Sequence, residues 1–188
     1  MKTPNSSSMR CERDVISELN VPANAYYGIH TLRAAQNFPF SGQRLHPAFI
    51  RAYAHPKRAC ALTSADIGFL SEKRGDAIAT ACMEVESGKL HDQIIINPFH
   101  GGANTWTNMN FNEVIANRAN EIMGENHDKD AMMHPIHHVT MHHSTNDTCP
   151  TALKKAVLNF LEELEDDVSK YQNLLQRKKI EFREVKST

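Results

Sequence analysis

Ser144-Thr145-Asn146-Asp147-Thr148-Cys149-Pro150-Thr151-Ala152 opens the longest regular pattern in this 188-residue chain. From about Pro150 to Phe182 apolar residues recur every three or four positions, at Leu153, Val157, Leu161, Leu164, Val168, Leu175 and Phe182. That spacing keeps them on one face of a helix for roughly nine turns. So long a stripe must be covered, which predicts either another chain as the partner or that these 188 residues are a fragment of a longer chain. The quoted stretch places two hydroxyls and a carboxamide at the helix start. Unpaired N–H groups and about half a positive charge gather there and attract carboxylates. Read alone, Ser144 and Asp147 before Pro150 are also an ordinary capped start. Gly101-Gly102-Ala103-Asn104-Thr105-Trp106-Thr107 has the same character: a glycine turn, then hydroxyls and an amide leading into a helix. The two bends together point to a site for a small dicarboxylic acid.

Working outward, residues 11–28 read as extended and irregular, and Thr31 to Asn37 as a short helix capped by Thr31. Pro47 to Leu70 carries a helical pattern, with Pro56 inside it. Proline removes a backbone N–H and crowds the preceding turn at a cost of ~3 kcal/mol, which predicts a kink or break near His55. A helix is predicted from Ser71 to Glu86, stopped by Gly88, and another from Thr107 to Met123, stopped by Gly124. Ile94-Ile95-Ile96, ended by Asn97-Pro98, reads as a short β-rich segment. Glu125 to His143 reads as a polar loop rich in His and Met.

Composition excludes more than it selects. A formal net charge of −1 leaves no electrostatic footprint for nucleic acid or an anionic membrane. No apolar run reaches the roughly 18 residues a membrane span needs. The segment 1–10 is polar, without the apolar stretch of a signal peptide, and reads as a disordered lead. Cys11, Cys60, Cys82 and Cys149 are far apart and read as reduced thiols in a cytoplasmic protein. Of the eleven histidines, six fall between His127 and His143. Among them His137, His138, His142 and His143 are the candidates for binding a metal, but their spacing fits no closed site, so none is expected. The acidic run Glu162 to Asp167 reads as the solvated face of the last helix.

Four blocks, in order, carry a resemblance. They are Tyr26-Tyr27-Gly28-Ile29-His30-Thr31-Leu32-Arg33, Gly101-Gly102-Ala103 through Thr105, Thr107-Asn108-Met109-Asn110-Phe111-Asn112-Glu113-Val114-Ile115-Ala116-Asn117-Arg118, and Ser144-Thr145-Asn146-Asp147. From about Arg10 to Lys186 the chain resembles the N-terminal portion of the aspartase/fumarase superfamily. Tyr-Tyr-Gly, Gly-Gly-Ala and Ser-Thr-Asn-Asp look like its aspartate ammonia-lyase branch, whereas class II fumarases look more like Trp-Gly, Gly-Ser-Gly-Thr and Ser-Ser-Asn-Asp.

The resemblance implies a mainly α fold: a short lead over 1–10, an N-terminal lyase domain over 11–147 with a short β-rich segment, and over 148–188 the first long helix of a central helical bundle. It implies a homotetramer that shares this bundle and builds each active site from three chains. The implied reaction is reversible anti-elimination of ammonia from L-aspartate to give fumarate, with no cofactor. Carried over, Thr105, Ser144 and Thr145 would bind the carboxylate that becomes the aci-form, and Asn146 the amino group. No catalytic residue is assigned in this chain, because the family's Gly-Ser-Ser-x-Met-Pro-x-Lys-x-Asn loop is absent from it. The chain alone is therefore expected to be inactive. Asn104 stands where the family has glycine, which questions the backbone before Thr105. His142-His143 stand where it has Ser-Gln or Cys-Gln, and Ile136-His137 where it has Asn-Asp. The alternatives are a class II fumarase-type hydratase, or a non-catalytic helical assembly protein derived from the family.

Overall fold

The computed structural model describes residues 8–124 and 132–185. The chain begins with a hairpin, β1 (Met9–Arg13) antiparallel to β2 (Glu18–Pro22), with Cys11 opposite Asn20. Asp14 closes it: its Oδ1 accepts the N–H groups of Ile16 and Ser17 at 2.9 Å each, a turn that an aspartate side chain favours. Arg33 clamps the same carboxylate from the first helix, and these bonds hold the Asp14 carboxyl down at about 2. The hairpin corrects two expectations. Met9 and Arg10 are strand rather than lead, and part of the segment read as irregular is β2. Residues 1–7 of the expected lead lie outside the described residues.

The isoleucine run is no strand. Ile94 and Ile96 are buried, yet the N–H groups of Ile95 and Ile96 go to the side-chain oxygen of Asn110, at 2.8 and 3.4 Å. A side chain here replaces the partner strand. The residues just before the run, His91–Gln93, form a turn of 3₁₀ helix.

Among the described residues, five α-helices make the body. α1 (Ile29–Asn37) is capped at Gly28, three residues before the expected cap, and Thr31 lies inside its first turn. α2 (Pro47–Asp66) starts as proline at the first helical position predicts, with His46 Nδ1 accepting the Ala48 N–H. It then runs uninterrupted through Pro56, against the expected break. Tyr53, Ala54 and Lys57 around that proline are buried, and α2 packs against both α3 and α5. Packing on two sides outweighs a penalty of ~3 kcal/mol. α3 (Glu72–Glu86) lies so close to α2 that a Cβ on Gly75 would sit 2.7 Å from that of Ala65. It ends where Gly88 takes φ +94°.

α4 (Thr105–Met123) is the buried axis of the body, with Phe111, Val114, Ile115, Ala116 and Ala119 fully enclosed. Phe111 stacks on Tyr53 of α2, ring centroids 4.1 Å apart. The expected His-rich loop contains a turn of π-helix at Pro135–Val139, and its residues 125–131 lie outside the described ones. α5 (Thr145–Glu181) begins about a turn and a half before Pro150, so a domain boundary at 148 falls inside a helix. Thr148, Cys149, Ala152 and Ala156 bury its first turns. Beyond them Leu161 is 52% exposed, Leu164 58% and Leu175 52%, so the predicted stripe is bare along most of the helix.

Candidate functional site

Two helix starts define the site, and a buried triad ties them together. Tyr53 Oη of α2 lies 3.1 Å from Thr148 Oγ1 of α5 and 3.3 Å from Asn108 Oδ1 of α4, and Thr148 Oγ1 donates to that same oxygen at 3.4 Å. Asn108 is one turn beyond Thr105, and Thr148 one turn beyond Ser144-Thr145. The triad therefore sets the opening turn of α4 beside that of α5. Burial pushes the Tyr53 phenol well above its ordinary value, so it stays a neutral hydrogen-bonding group at any physiological pH.

The first bend is left-handed at three successive residues: Gly102 (φ +81°), Ala103 (φ +49°) and Asn104 (φ +65°). Asparagine at the position expected to need glycine thus adopts the conformation that glycine would, because its short polar side chain tolerates the left-handed well. The bend closes with the Thr105 N–H on the Gly102 carbonyl at 2.9 Å and delivers Thr105 as the first helical residue, exposed. Asn104 and Cys149 of α5 line one cavity beside the two starts.

The second bend is a complete capping box. The Asn146 N–H donates to Ser144 Oγ at 3.1 Å, while Asp147 accepts the Ser144 N–H at 2.8 Å and its hydroxyl at 3.1 Å. Ser144 can thus donate to a ligand only by leaving Asp147. The side chains of Thr105, Thr145 and Asn146 make no hydrogen bond to another described group. The structure therefore brings the four predicted residues onto adjoining helix starts but distinguishes Ser144, which is engaged, from the other three. A cavity of about 440 Å³ beside them is lined by Asn104, Cys149, Phe49, Phe99 and Leu153 rather than by those hydroxyls.

The candidate metal residues are not gathered. Among the described residues no group of three or more His, Cys, Asp or Glu side chains could hold an ion. The ring nitrogens are used locally instead. His134 Nδ1 accepts the N–H groups of Ile136 and His137, and His138 Nδ1 accepts that of His134.

Sequence reading missed the polar residues that hold this frame. Glu113, 3% exposed, accepts the N–H groups of Gly28, His30 and Thr31 at 2.9, 3.0 and 3.1 Å and the Thr31 hydroxyl at 2.5 Å. It serves α1 as a distant cap, which is why Thr31 does not need to be one. Gly28 is required for space: a Cβ there would meet Glu113 and Glu12 oxygens at 2.8 Å. Asn110 pins the isoleucine run, Asn117 holds the Tyr26 carbonyl at 2.7 Å, and Asn112 accepts from the buried Lys57 at 2.6 Å. The signal was present as four polar residues, Asn108, Asn110, Asn112 and Glu113, crowded into six positions of one helix. Such residues persist inside only when each is paired.

Comparison with known proteins agrees with this frame. A family model described as Lyase matches residues 17–187. The chain belongs to this lyase family. It is 45% identical to the aspartate ammonia-lyase of Bacillus subtilis (strain 168) over 178 residues, which cover 94% of this chain and 37% of that one. It is 44% identical to a class II fumarate hydratase of Halobacterium salinarum over 156 residues, covering 83% of this chain and 33% of that one. Among solved structures it is similar to the native form of a Brucella melitensis fumarate lyase:delta crystallin, with a TM-score of 0.76, 43% identity, and coverage of 81% of this chain and 36% of that one. The lyase chain thus spans a little over a third of the length of the curated relatives it matches.

Proposed function

We propose that this chain supplies the carboxylate-gripping portion of an aspartate ammonia-lyase, which eliminates ammonia from L-aspartate reversibly to give fumarate. A base removes the Cβ proton and the electrons enter the adjacent carboxylate, giving a doubly charged aci-form. The C–N bond then breaks and ammonia leaves. Thr105 and Thr145 donate to the aci-carboxylate from two sides at the positive ends of α4 and α5, with Ser144 joining once it releases Asp147. Preorganised donors of this kind stabilise charge as it develops. Asn146 holds the amino group. No cofactor or metal takes part.

The observation that carries the reading is the Asn108–Tyr53–Thr148 triad, which aligns two unengaged hydroxyls on adjoining helix starts. The bare stripe of α5 supports a homotetramer whose long helices share a core, with each site completed by neighbouring subunits; in this reading the enzyme is cytoplasmic. Residues 1–188 hold no serine-loop motif, so by themselves they turn over no aspartate. The second reading, a fumarase-type hydratase, is favoured by the 44% identity to the Halobacterium salinarum fumarate hydratase. A non-catalytic assembly role would use α5 alone.

A protein in which residues 1–188 continue into a complete lyase body decides among these. Fumarate absorbance rising with aspartate and not with malate supports the ammonia-lyase. The reverse supports the hydratase, and no rise with either, in a folded oligomer, supports assembly alone.

A further inference from the structure

His143, immediately before the second bend, is engaged at both ring nitrogens. Its Nδ1 lies 2.9 Å from the Met141 carbonyl, which can only accept, so Nδ1 carries the proton. Its Nε2 is then a bare acceptor, 3.1 Å from the ammonium of Lys57. Lys57 is fully buried in α2, and its other hydrogen-bond partner is Asn112 of α4. Between Met141 and His143, His142 takes φ +60°, a conformation that costs a non-glycine residue ~1 kcal/mol or more and persists only where surroundings enforce it. The His143 backbone N–H closes that turn on the Thr140 carbonyl at 3.2 Å, and its ring braces it, bridging backward to Met141 and down to α2.

We infer that His143 is a positioning residue for the Ser144-Thr145-Asn146 bend, locking the left-handed turn before it while the imidazole is neutral and releasing that turn when acid protonates Nε2. Protonation would set an N–H donor against the Lys57 ammonium, donor to donor, at a distance where one must move. The groups facing the pair are few. Asp147 of α5 faces His143 and favours its protonation, but that carboxylate is held by Ser144. Cys60 of α2 and Cys82 of α3 face Lys57. Burial first, and then the Lys57 charge, keep the His143 midpoint below the ordinary histidine value, while burial brings Lys57 down to about 7. Loss of the Lys57 proton leaves an amine that still donates to Nε2, so the lock survives alkali and fails only in acid. The inference rests on reading this bend as the carboxylate grip, and deepens it.

The test separates the two. In the full chain, ¹⁵N NMR at pH 7.5 should show Nδ1 protonated and Nε2 bare, with a midpoint below about 6.5. Lys57→Met should raise that midpoint. Amide exchange of residues 144–147 should quicken as His143 titrates, and stay flat in His143→Gln, whose carboxamide accepts from Lys57 but takes up no proton. An Nε2–H tautomer at pH 7.5 in the unaltered protein, or amide exchange indifferent to His143, overturns the lock. Fumarate titrated between pH 7.5 and 5.5 into a protein in which residues 1–188 continue into a complete lyase body forms the second arm. Below the His143 midpoint its affinity should fall about tenfold per pH unit relative to His143→Gln. An equal pH response in both proteins overturns the coupling of lock to grip. Absence of fumarate binding at every pH removes the carboxylate reading and leaves the lock to the NMR result.

Discussion

α4 and α5 are the two helices whose starts form the site, and they are built on opposite terms. α4 is enclosed along its middle and there carries polar residues inward, each answered by a group on another segment: Asn108 by Tyr53, Asn110 by the isoleucine run, Asn112 by Lys57, Glu113 by the start of α1. α5 buries one narrow face, at Thr148, Cys149, Ala152 and Ala156, and then presents leucines to solvent, Leu161 at 52% and Leu164 at 58% exposure. In one helix the polar residues are inside and satisfied, and in the other the apolar residues are outside and unsatisfied. Polarity alone therefore reports neither burial nor function. What matters is whether each group has found its complement, and only α5 still lacks one.

The contrast can be broken most severely at Glu113. Glu113→Ala should leave three buried N–H groups at the start of α1 without an acceptor and cost about 3–5 kcal/mol, read as a lowered urea midpoint. A loss under about 1 kcal/mol would mean that water replaces the carboxylate and that α4 is not the staple described. Next comes the site. Thr145→Val in a complete lyase should cost ~2–4 kcal/mol in kcat/KM with aspartate, as when an oxyanion donor is lost. Unchanged turnover would remove Thr145 from the grip.

Smaller is the effect of Tyr53→Phe, which keeps the stack on Phe111 and deletes the hydroxyl between Asn108 and Thr148. About 1–2 kcal/mol of stability should go, with KM for aspartate rising as the two helix starts lose their tie. Smallest in the single chain is Leu164→Glu on the bare face of α5, expected to change monomer stability by less than ~0.5 kcal/mol. The same substitution should abolish the oligomer in light scattering. A tetramer that survives it would place the subunit contact elsewhere.

How much of this was written plainly in the sequence depends on whether the determinants are local. Helix spans follow from periodicity, and the stops at Gly88 and Gly124 are where positive φ is needed, so both were legible. The stripe of α5 was legible too, as was its lack of cover. The hairpin was not, because β1 and β2 are short and mostly polar, and their register depends on Asp14 and Arg33 rather than on alternation. Ile94-Ile95-Ile96 misled for the opposite reason: β propensity was high, but Asn110 took the role of a neighbouring strand. Pro56 misled because propensity is a local penalty and the packing of α2 is not local. At the site, the four residues could be named from their bends. That Ser144 is already spent on Asp147, and that His143 is bridged to Lys57, could not, since each depends on distances that no spacing encodes.

The Glu113 contacts have a consequence for how this chain is made. Gly28 and Thr31 leave the ribosome more than eighty residues before the carboxylate that receives them. At typical synthesis rates of 5–20 residues per second that is a wait of about 4–16 s, far longer than a helix or hairpin takes to form. The nascent N-terminal segment thus spends seconds with its docking partner still untranslated, a window in which a chaperone, rather than the fold, must keep it from sticking elsewhere.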